Sequence, residues 1–340
     1  MRKITAGLAA LATVGVLAAC SPTEATHASS SPEAAAAALE GQTITLVVPF
    51  DPGGGYDAYA RMLAPELGEE LGATVIVENK PGAGGILATN EVINAKPDGT
   101  TLVLLNGPGH LGAALAGVEG VLYDAEAMSY IGQISLEPDV VATSPASGIT
   151  SVDDMAGKRF AATGPGSNEY IDAVVLNELL GFDNEVVTGF ASSNEASLNV
   201  VQGNVDLHSR SLGSQLPGFV AGDLVPVVVI GTNTGEEEIA DIDNLVDVVP
   251  SSKAELAELH SDLVSSGRII AAPPGMDEST LQVLRDVFEK VVSDPAFQKA
   301  AAEAGRPVVF TSGKDVQALV TNVMNSPAAY VDLIKKAYGG

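Results

Sequence analysis

The sequence predicts an α/β protein of two lobes joined at two hinge strands. Strand-like runs alternate with helical patterns from Ile44 onward, which implies parallel pairing with right-handed crossovers. The hydrophobic content is 46% but the aromatic content only 4%, with no Trp, so the cores must be built from Ala, Val, Leu and Ile. That mix suits strands buried on both faces by helices. The third sign is a supply of 36 Gly and 19 Pro, natural for many short strand-to-helix turns. A chain of 340 residues is long enough for two such lobes, each with its own core.

The N-terminus reads as a targeting segment. Met1-Arg2-Lys3 is a basic head, and residues 4–17 form an apolar run too short for a stable membrane span. Leu17-Ala18-Ala19-Cys20 follows, with Cys20 the only cysteine, so no disulfide can form within one molecule. These residues resemble the lipobox of bacterial lipoproteins. The resemblance implies cleavage of a signal peptide spanning 1–19 and lipid attachment at Cys20. Residues 20–41, rich in Ser, Thr, Pro, Glu and Ala, read as a flexible tether, in which the Ala run 34–38 could form a short helix.

The first lobe begins with a buried-type strand at 44–48, stopped by Pro49. Residues 58–71 place Met62, Leu63, Leu67 and Leu71 on one helical face. A β-branched strand at 74–77, a helix at 86–95 ended before Pro97, and a strand at 101–105 follow. The second set opens with a capped turn at Ser151 to Asp154, stopped by Gly157. Strands are expected at 159–162, 186–187, 205–208 and 225–230, and helices at 167–180 and 193–202. From Glu278 the chain is mostly helical, with breaks at Pro295, Gly305 and Pro327. The crossings fall near 139–145 and 268–273, extended apolar stretches bounded by Pro. Lobe 1 is therefore expected to comprise 42–144 and 269–340, with lobe 2 inserted as 145–268. Bending at both crossings would open and close a cleft.

Four glycine-containing loops are the candidate binding elements. The first runs Pro49-Phe50-Asp51-Pro52-Gly53-Gly54-Gly55-Tyr56-Asp57, from a strand end to a helix start. Consecutive glycines let backbone N–H groups converge without Cβ obstruction, and a helix N-terminus favours an anion. Asp57 is expected as the helix N-cap. The second loop carries Gly82, Ala83, Gly84 and Gly85, and the third Asn106 and His110. The fourth, with Gly164, Ser167 and Asn168, faces them from the other lobe. Ligands in open α/β sheets bind at such strand ends. The spacing fails both the dinucleotide pattern, since Leu87 takes the third glycine position, and the P-loop pattern, since no Lys-Ser/Thr follows Gly55.

With 43 acidic against 17 basic residues, the formal charge is −26, which argues against a nucleic-acid partner. Local donors must then catch any anion against the global field.

At the first two loops the pattern becomes specific. Ile44-Thr-Leu-Val-Val-Pro-Phe-x-Pro-Gly-Gly-Gly with Asp57 and Arg61, Val77-Glu-Asn-Lys-Pro-Gly-Ala-Gly-Gly85, and Lys96-Pro-Asp-Gly-Thr-Thr-Leu102 resemble the Bug family. These are the substrate-binding receptors of tripartite tricarboxylate transporters. Weaker matches at Gly203 to Asp206, Pro217 to Gly222, Ala272 to Gly275 and Ser293 to Pro295 extend the resemblance to the C-terminus. It implies a Venus-flytrap receptor of the periplasmic-binding type II kind, bacterial and extracytoplasmic, that holds a small carboxylate and hands it to permease subunits. It also implies that Pro52 to Tyr56 and Gly82 to Gly85 grip the carboxylate through backbone donors, while Gly164 to Asn168 close from lobe 2. Tyr56 is bulkier than the small polar residue usual in the family.

Ser193 and Arg210 are expected to complete the enclosure, Arg210 either as a guanidinium on the ligand or as a surface ion pair. Arg61 reads as an inter-helix or surface salt bridge. His208 reads as a possible cleft residue, His260 as lying on an exposed helix, and His27 as part of the tether. No HExxH, CxxC or clustered acidic loop appears, so neither a metal nor a cofactor is expected. The expectation is a monomeric, lipid-anchored receptor that performs no catalysis. The alternatives are a sensor for a signalling partner and an exported hydrolase using Ser167; the latter lacks the Gly after Ser that a nucleophile elbow needs.

Overall fold

The computed structural model describes residues 31–339 apart from Gly166 and Thr234. The signal segment, Cys20, His27 and the first half of the expected tether lie outside the described residues.

The last part of that tether is ordered. Helix α1 (Pro32–Leu39) starts at an N-cap Ser31, whose hydroxyl accepts from the Ala34 amide, and it buries Ala35 and Leu39. Alanine is the strongest helix former and Pro is tolerated in the first turn, so the Ala run folds once Leu39 finds a surface. That surface is α10, at the far side of the first lobe.

The chain continues through β1 (Thr43–Val48), α2 (Gly55–Leu71), β2 (Thr74–Asn79), α3 (Ile86–Val92), β3 (Thr101–Asn106), α4 (Gly107–Ala116) and β4 (Ser129–Ser135). It then crosses to β5 (Asp139–Thr143), β6 (Arg159–Ala161), α5 (Asn168–Leu180), β7 (Glu185–Val187), α6 (Ser193–Val201), β8 (Leu207–Ser211), α7 (Leu212–Ala221) and β9 (Val225–Ile230). Helices α8 (Leu245–Val248) and α9 (Ala254–Ser265) lead back to β10 (Arg268–Ala272). The C-terminal part is α10 (Glu278–Val292), α11 (Pro295–Glu303), β11 (Thr311–Ser312), α12 (Gly313–Met324) and α13 (Ala328–Ala337).

The strands form a six-stranded sheet ordered β11-β4-β10-β3-β1-β2 and a five-stranded sheet ordered β7-β6-β8-β5-β9. The expected parallel pairing holds among β1, β2 and β3 and among β6, β7 and β8. It fails at β5 and β10, each antiparallel to both neighbours. These are the two crossing segments: a strand entering a sheet from the other lobe runs against the strands that belong to βαβ units. Hydrogen bonding puts β5 in the second sheet, earlier in the chain than the boundary read at residue 145.

One apolar core lies between the first sheet and α2, α10 and α11, with Ile44, Leu63, Leu104 and Phe288 at its centre. A second runs beneath the other face, from Val103 and Leu105 through α4, α9, α12 and α13 to Phe160, Val175 and Val228. Helix α13 packs on both α4 and α5, so the C-terminus belongs to both halves.

Candidate functional site

A cavity of about 690 Å³ opens between the two sheets. Its first wall comes from the ends of β1, β2 and β3. Pro49 stops β1, and α2 begins at Gly55 with Gly54 as N-cap. Asp57 is not the cap but sits in the first turn, where its Oδ2 accepts from the Gly53 amide at 2.8 Å. The Gly53 N–H is thereby spent on the turn itself. The amides of Gly55 and Tyr56, in the first turn of α2, have no intrahelical acceptor and remain for a ligand. Arg61 pairs with Asp57 at 2.9 Å and donates to Asn79 Oδ1 at 3.0 Å, and so ties the first turn to the second.

The second turn brings Gly82, Gly84 and Gly85 to the cavity. Gly85 has φ +97°, and a Cβ there would stand 2.7 Å from the His110 ring. His110 is therefore a support behind the turn, not a cleft residue: it is buried, its Nδ1 faces the Asn106 carbonyl at 2.9 Å, and burial pushes its pKa down. Ala83 also lies outside the cavity lining. The third loop is in fact the start of α4, with the Asn106 side chain as N-cap accepting from the Gly109 amide. Asn106 lines the cavity, and its Nδ2 donates to Asn168 Oδ1 at 3.1 Å, a direct link from one lobe to the other.

The second lobe contributes Thr163, Ser167, Asn168, Glu169, Ser193 and Arg210. Gly164 is not in the lining; its carbonyl accepts from Ser167 Oγ at 2.8 Å, while Ser167 caps α5. That hydroxyl has a carbonyl and the Tyr170 amide as partners, not a base. Glu169 Oε1 accepts from Thr163 Oγ1 at 2.9 Å and Ser193 Oγ at 3.0 Å, which holds the two lobe-2 loops together. Arg210 donates to Asn194 Oδ1 at 3.0 Å. Burial lowers its pKa, opposed by Glu169 and Asp139.

The wall at the crossings was not anticipated. It is made by Glu137, Asp139 and Arg268. Arg268 pairs with Glu137 at 2.9 Å, with both side chains almost wholly buried, and donates to Ser135 Oγ at 2.9 Å. Its guanidinium lies 4.7 Å from the Tyr56 ring centroid and 4.6 Å from that of Tyr59, a cation–π sandwich. Tyr59 Oη donates to Glu137 Oε1 at 2.8 Å. Burial alone would raise the Glu137 carboxyl, but Arg268 and Tyr59 hold it below its ordinary value. Burial likewise opposes the Arg268 charge, and Glu137 is first among the neighbours that restore it. The available signal was Glu137-Pro138-Asp139, two acids flanking a Pro at a crossing, and an Arg directly before an apolar strand.

Two histidines were also misplaced. His260 is buried on α9, not exposed, and faces Asp172 at 3.1 Å. His208 is buried with Nδ1 2.9 Å from the Ala161 carbonyl and does not line the cavity. Among the described residues no group of three or more His, Cys, Asp or Glu is placed to hold a metal ion. Among them, too, no helix is long and apolar enough to cross a membrane.

The sequence profile of the tripartite tricarboxylate transporter family receptor matches residues 59–336. Protein BugT of Bordetella pertussis is 26% identical over 283 residues, covering 79% of this chain and 82% of that one. Among solved structures, MatC from Rhodopseudomonas palustris with bound malate is similar at TM-score 0.68 and 22% identity, covering 86% of this chain and 99% of that one. A second R. palustris protein, solved with adipate, is similar at TM-score 0.69 and 20% identity, with 88% and 97% covered. At these identities the structures attest the two-lobed fold.

Proposed function

This chain belongs to the tripartite tricarboxylate transporter receptor family, and from that premise we propose that it captures a small carboxylate between its lobes and delivers it to a membrane permease. Receptors of this family bind solutes outside the cytoplasm and are not enzymes. The observation that carries the ligand class is the pairing of two unlike walls around one cavity. One wall offers the first-turn amides of Gly55 and Tyr56 beside the Gly82–Gly85 turn, and the other offers Arg210. Fixed backbone dipoles lining a cleft hold an anion without a cluster of basic side chains. The buried Arg268 is already matched by Glu137, so Arg210 is the guanidinium left for a ligand carboxylate.

Capture proceeds by closure of lobe 2, the part of the chain built on the second sheet, against lobe 1, with bending at the crossings before β5 and β10. Lipid on Cys20 would hold the receptor at the membrane. The ordered α1 takes residues 32–39 out of the expected tether.

Titration calorimetry of the protein lacking residues 1–20 with succinate, malate, adipate and citrate tests the reading. Binding of at least one acid, returned chemically unchanged, is the expected result. Heat from none of them overturns the ligand class.

A further inference from the structure

The wall of the cleft at the crossings holds a chain of buried polar side chains that anion capture by the glycine turns does not use. Asp139 opens β5, and pairing with Ser211 and Ile230 fixes it at the cavity. Its carboxyl is buried and in hydrogen-bonding contact with that of Asp172 on α5, yet no donor reaches its Oδ2. Asp172 differs: it accepts from Ser209 Oγ at 2.5 Å and lies 3.1 Å from His260 Nε2. Tyr330 Oη stands 3.3 Å from His260 Nδ1 on the ring's other side. With the phenol donating to Nδ1, Nε2 carries the ring hydrogen and donates to Asp172. Asp172 thus has the donors a buried carboxylate needs, and Asp139 has neither donor nor bonded cation. Two buried carboxyls in contact do not both ionise near neutral pH.

We propose that Asp139 and Asp172 share one proton, so that this wall of the cleft is uncharged toward Asp139's side and capture of an anionic ligand is linked to keeping that proton. The linkage rests on the carboxylate reading above; the shared proton does not.

The groups facing the pair agree. Asp172 and Glu169, both on α5, are acidic; Arg210 on β8 interacts with Asp139 and has Arg306 near it, while Arg268 is matched by Glu137. Tyr56 on α2 and Tyr330 on α13 stay neutral because burial raises their phenols. His260 on α9 is neutral because burial pushes it down to about 4. Burial first, then Asp172 and Glu169, lift the Asp139 carboxyl well above the usual carboxylate range. Protonated, Asp139 donates to Asp172 and leaves its other oxygen a neutral acceptor beside the cavity. Ionised, it would set a further negative charge against the ligand.

The test is calorimetry of whichever of succinate, malate, adipate or citrate binds, from roughly pH 6 to pH 9, in buffers of unlike ionisation enthalpy. Succinate, malate and adipate carboxyls are ionised over most of that range, so with these the protein supplies the change. Wild type should lose affinity by up to about tenfold per pH unit once the pair begins to ionise, with uptake of up to about one proton on binding. Asp139→Asn keeps a donor toward Asp172 and cannot titrate; it should bind with a flattened profile and no uptake. PH-independent wild-type binding without proton uptake overturns the linkage, and this arm needs no variant. Infrared difference spectra of the ligand-free proteins read the proton alone: wild type should show a protonated-carboxyl C=O band that the variant lacks. Absence of that band overturns the shared proton while leaving the receptor reading intact. The band without binding of any acid overturns the capture reading, and the linkage with it.

Discussion

Arg210 and Arg268 bring the same charge to one cavity in different states. Arg268 is locked by Glu137, Ser135 and two aromatic rings, so its removal would leave a buried carboxylate unpaired, a large cost to folding. The Arg210 guanidinium donates to Asn194, and among the described residues no carboxylate forms an ion pair with it. Arg210→Ala should therefore weaken carboxylate binding by roughly 10- to 100-fold, the worth of a charge-assisted hydrogen bond, with little change in Tm. Calorimetry beside a thermal melt separates the two. Gly85 makes the opposite case. At φ +97° an L side chain is strained, and the added Cβ would collide with the His110 ring at 2.7 Å. Gly85→Ala should lower both Tm and affinity, because the turn cannot move without moving its support. The role of the glycines was legible because a glycine run after a strand is a local signal. The Glu137–Arg268 pair was not, because its partners meet only when the two crossing segments come side by side.

At the scale of elements, local chemistry explains what could be read. The strands β1 and β3 are continuous apolar runs buried in the sheet, and α2 and α10 carry an apolar stripe, so their existence follows from periodicity. Strand β4 carries Ser, Gly and Gln at buried positions and shows neither alternation nor a β-branched run. It is a strand because β10 and β11 pair with it. Helix α4 was hidden by Asn106-Gly107-Pro108-Gly109, which reads as a loop but is an N-cap followed by a first turn that tolerates Pro. Helix α1 was open to reading only from its Ala run, which has no stripe to say what it packs on. Its docking depends on Leu39, fully buried beside Leu284 in the first-lobe core. Leu39→Ala should cost about 2–4 kcal/mol of stability, seen as a lower denaturant midpoint. Ligand affinity should be unchanged, since α1 lines no part of the cavity.

At the scale of the whole molecule, buried titrating groups set how stability depends on pH. Asp139 and Asp172 have folded pKa values above their unfolded ones, because burial disfavours the charged form of each. Their contribution is fully present below the unfolded value and is lost as pH rises through the folded one. His260 works in the other direction: its folded value, about 4, lies below the unfolded one, so its contribution fades as pH falls from neutral toward 4. From neutral to alkaline pH the carboxyl pair governs, and the Tm of the wild type should fall where that of Asp139→Asn stays flatter. The halves touch along the cavity, where Asn106 donates to Asn168. If the cleft works by closure, that contact must break for a ligand to enter or leave. The sole native cysteine, Cys20, can be removed, so Asn106→Cys with Asn168→Cys in a Cys20→Ser background gives a single reactive pair. Bridging the pair with a short bifunctional thiol reagent after loading a bound acid should slow its release by orders of magnitude. Bridging before loading should block uptake. Stopped-flow exchange against labelled ligand reads both, and exchange at the unbridged rate would mean that the guest passes by a route other than parting of the lobes.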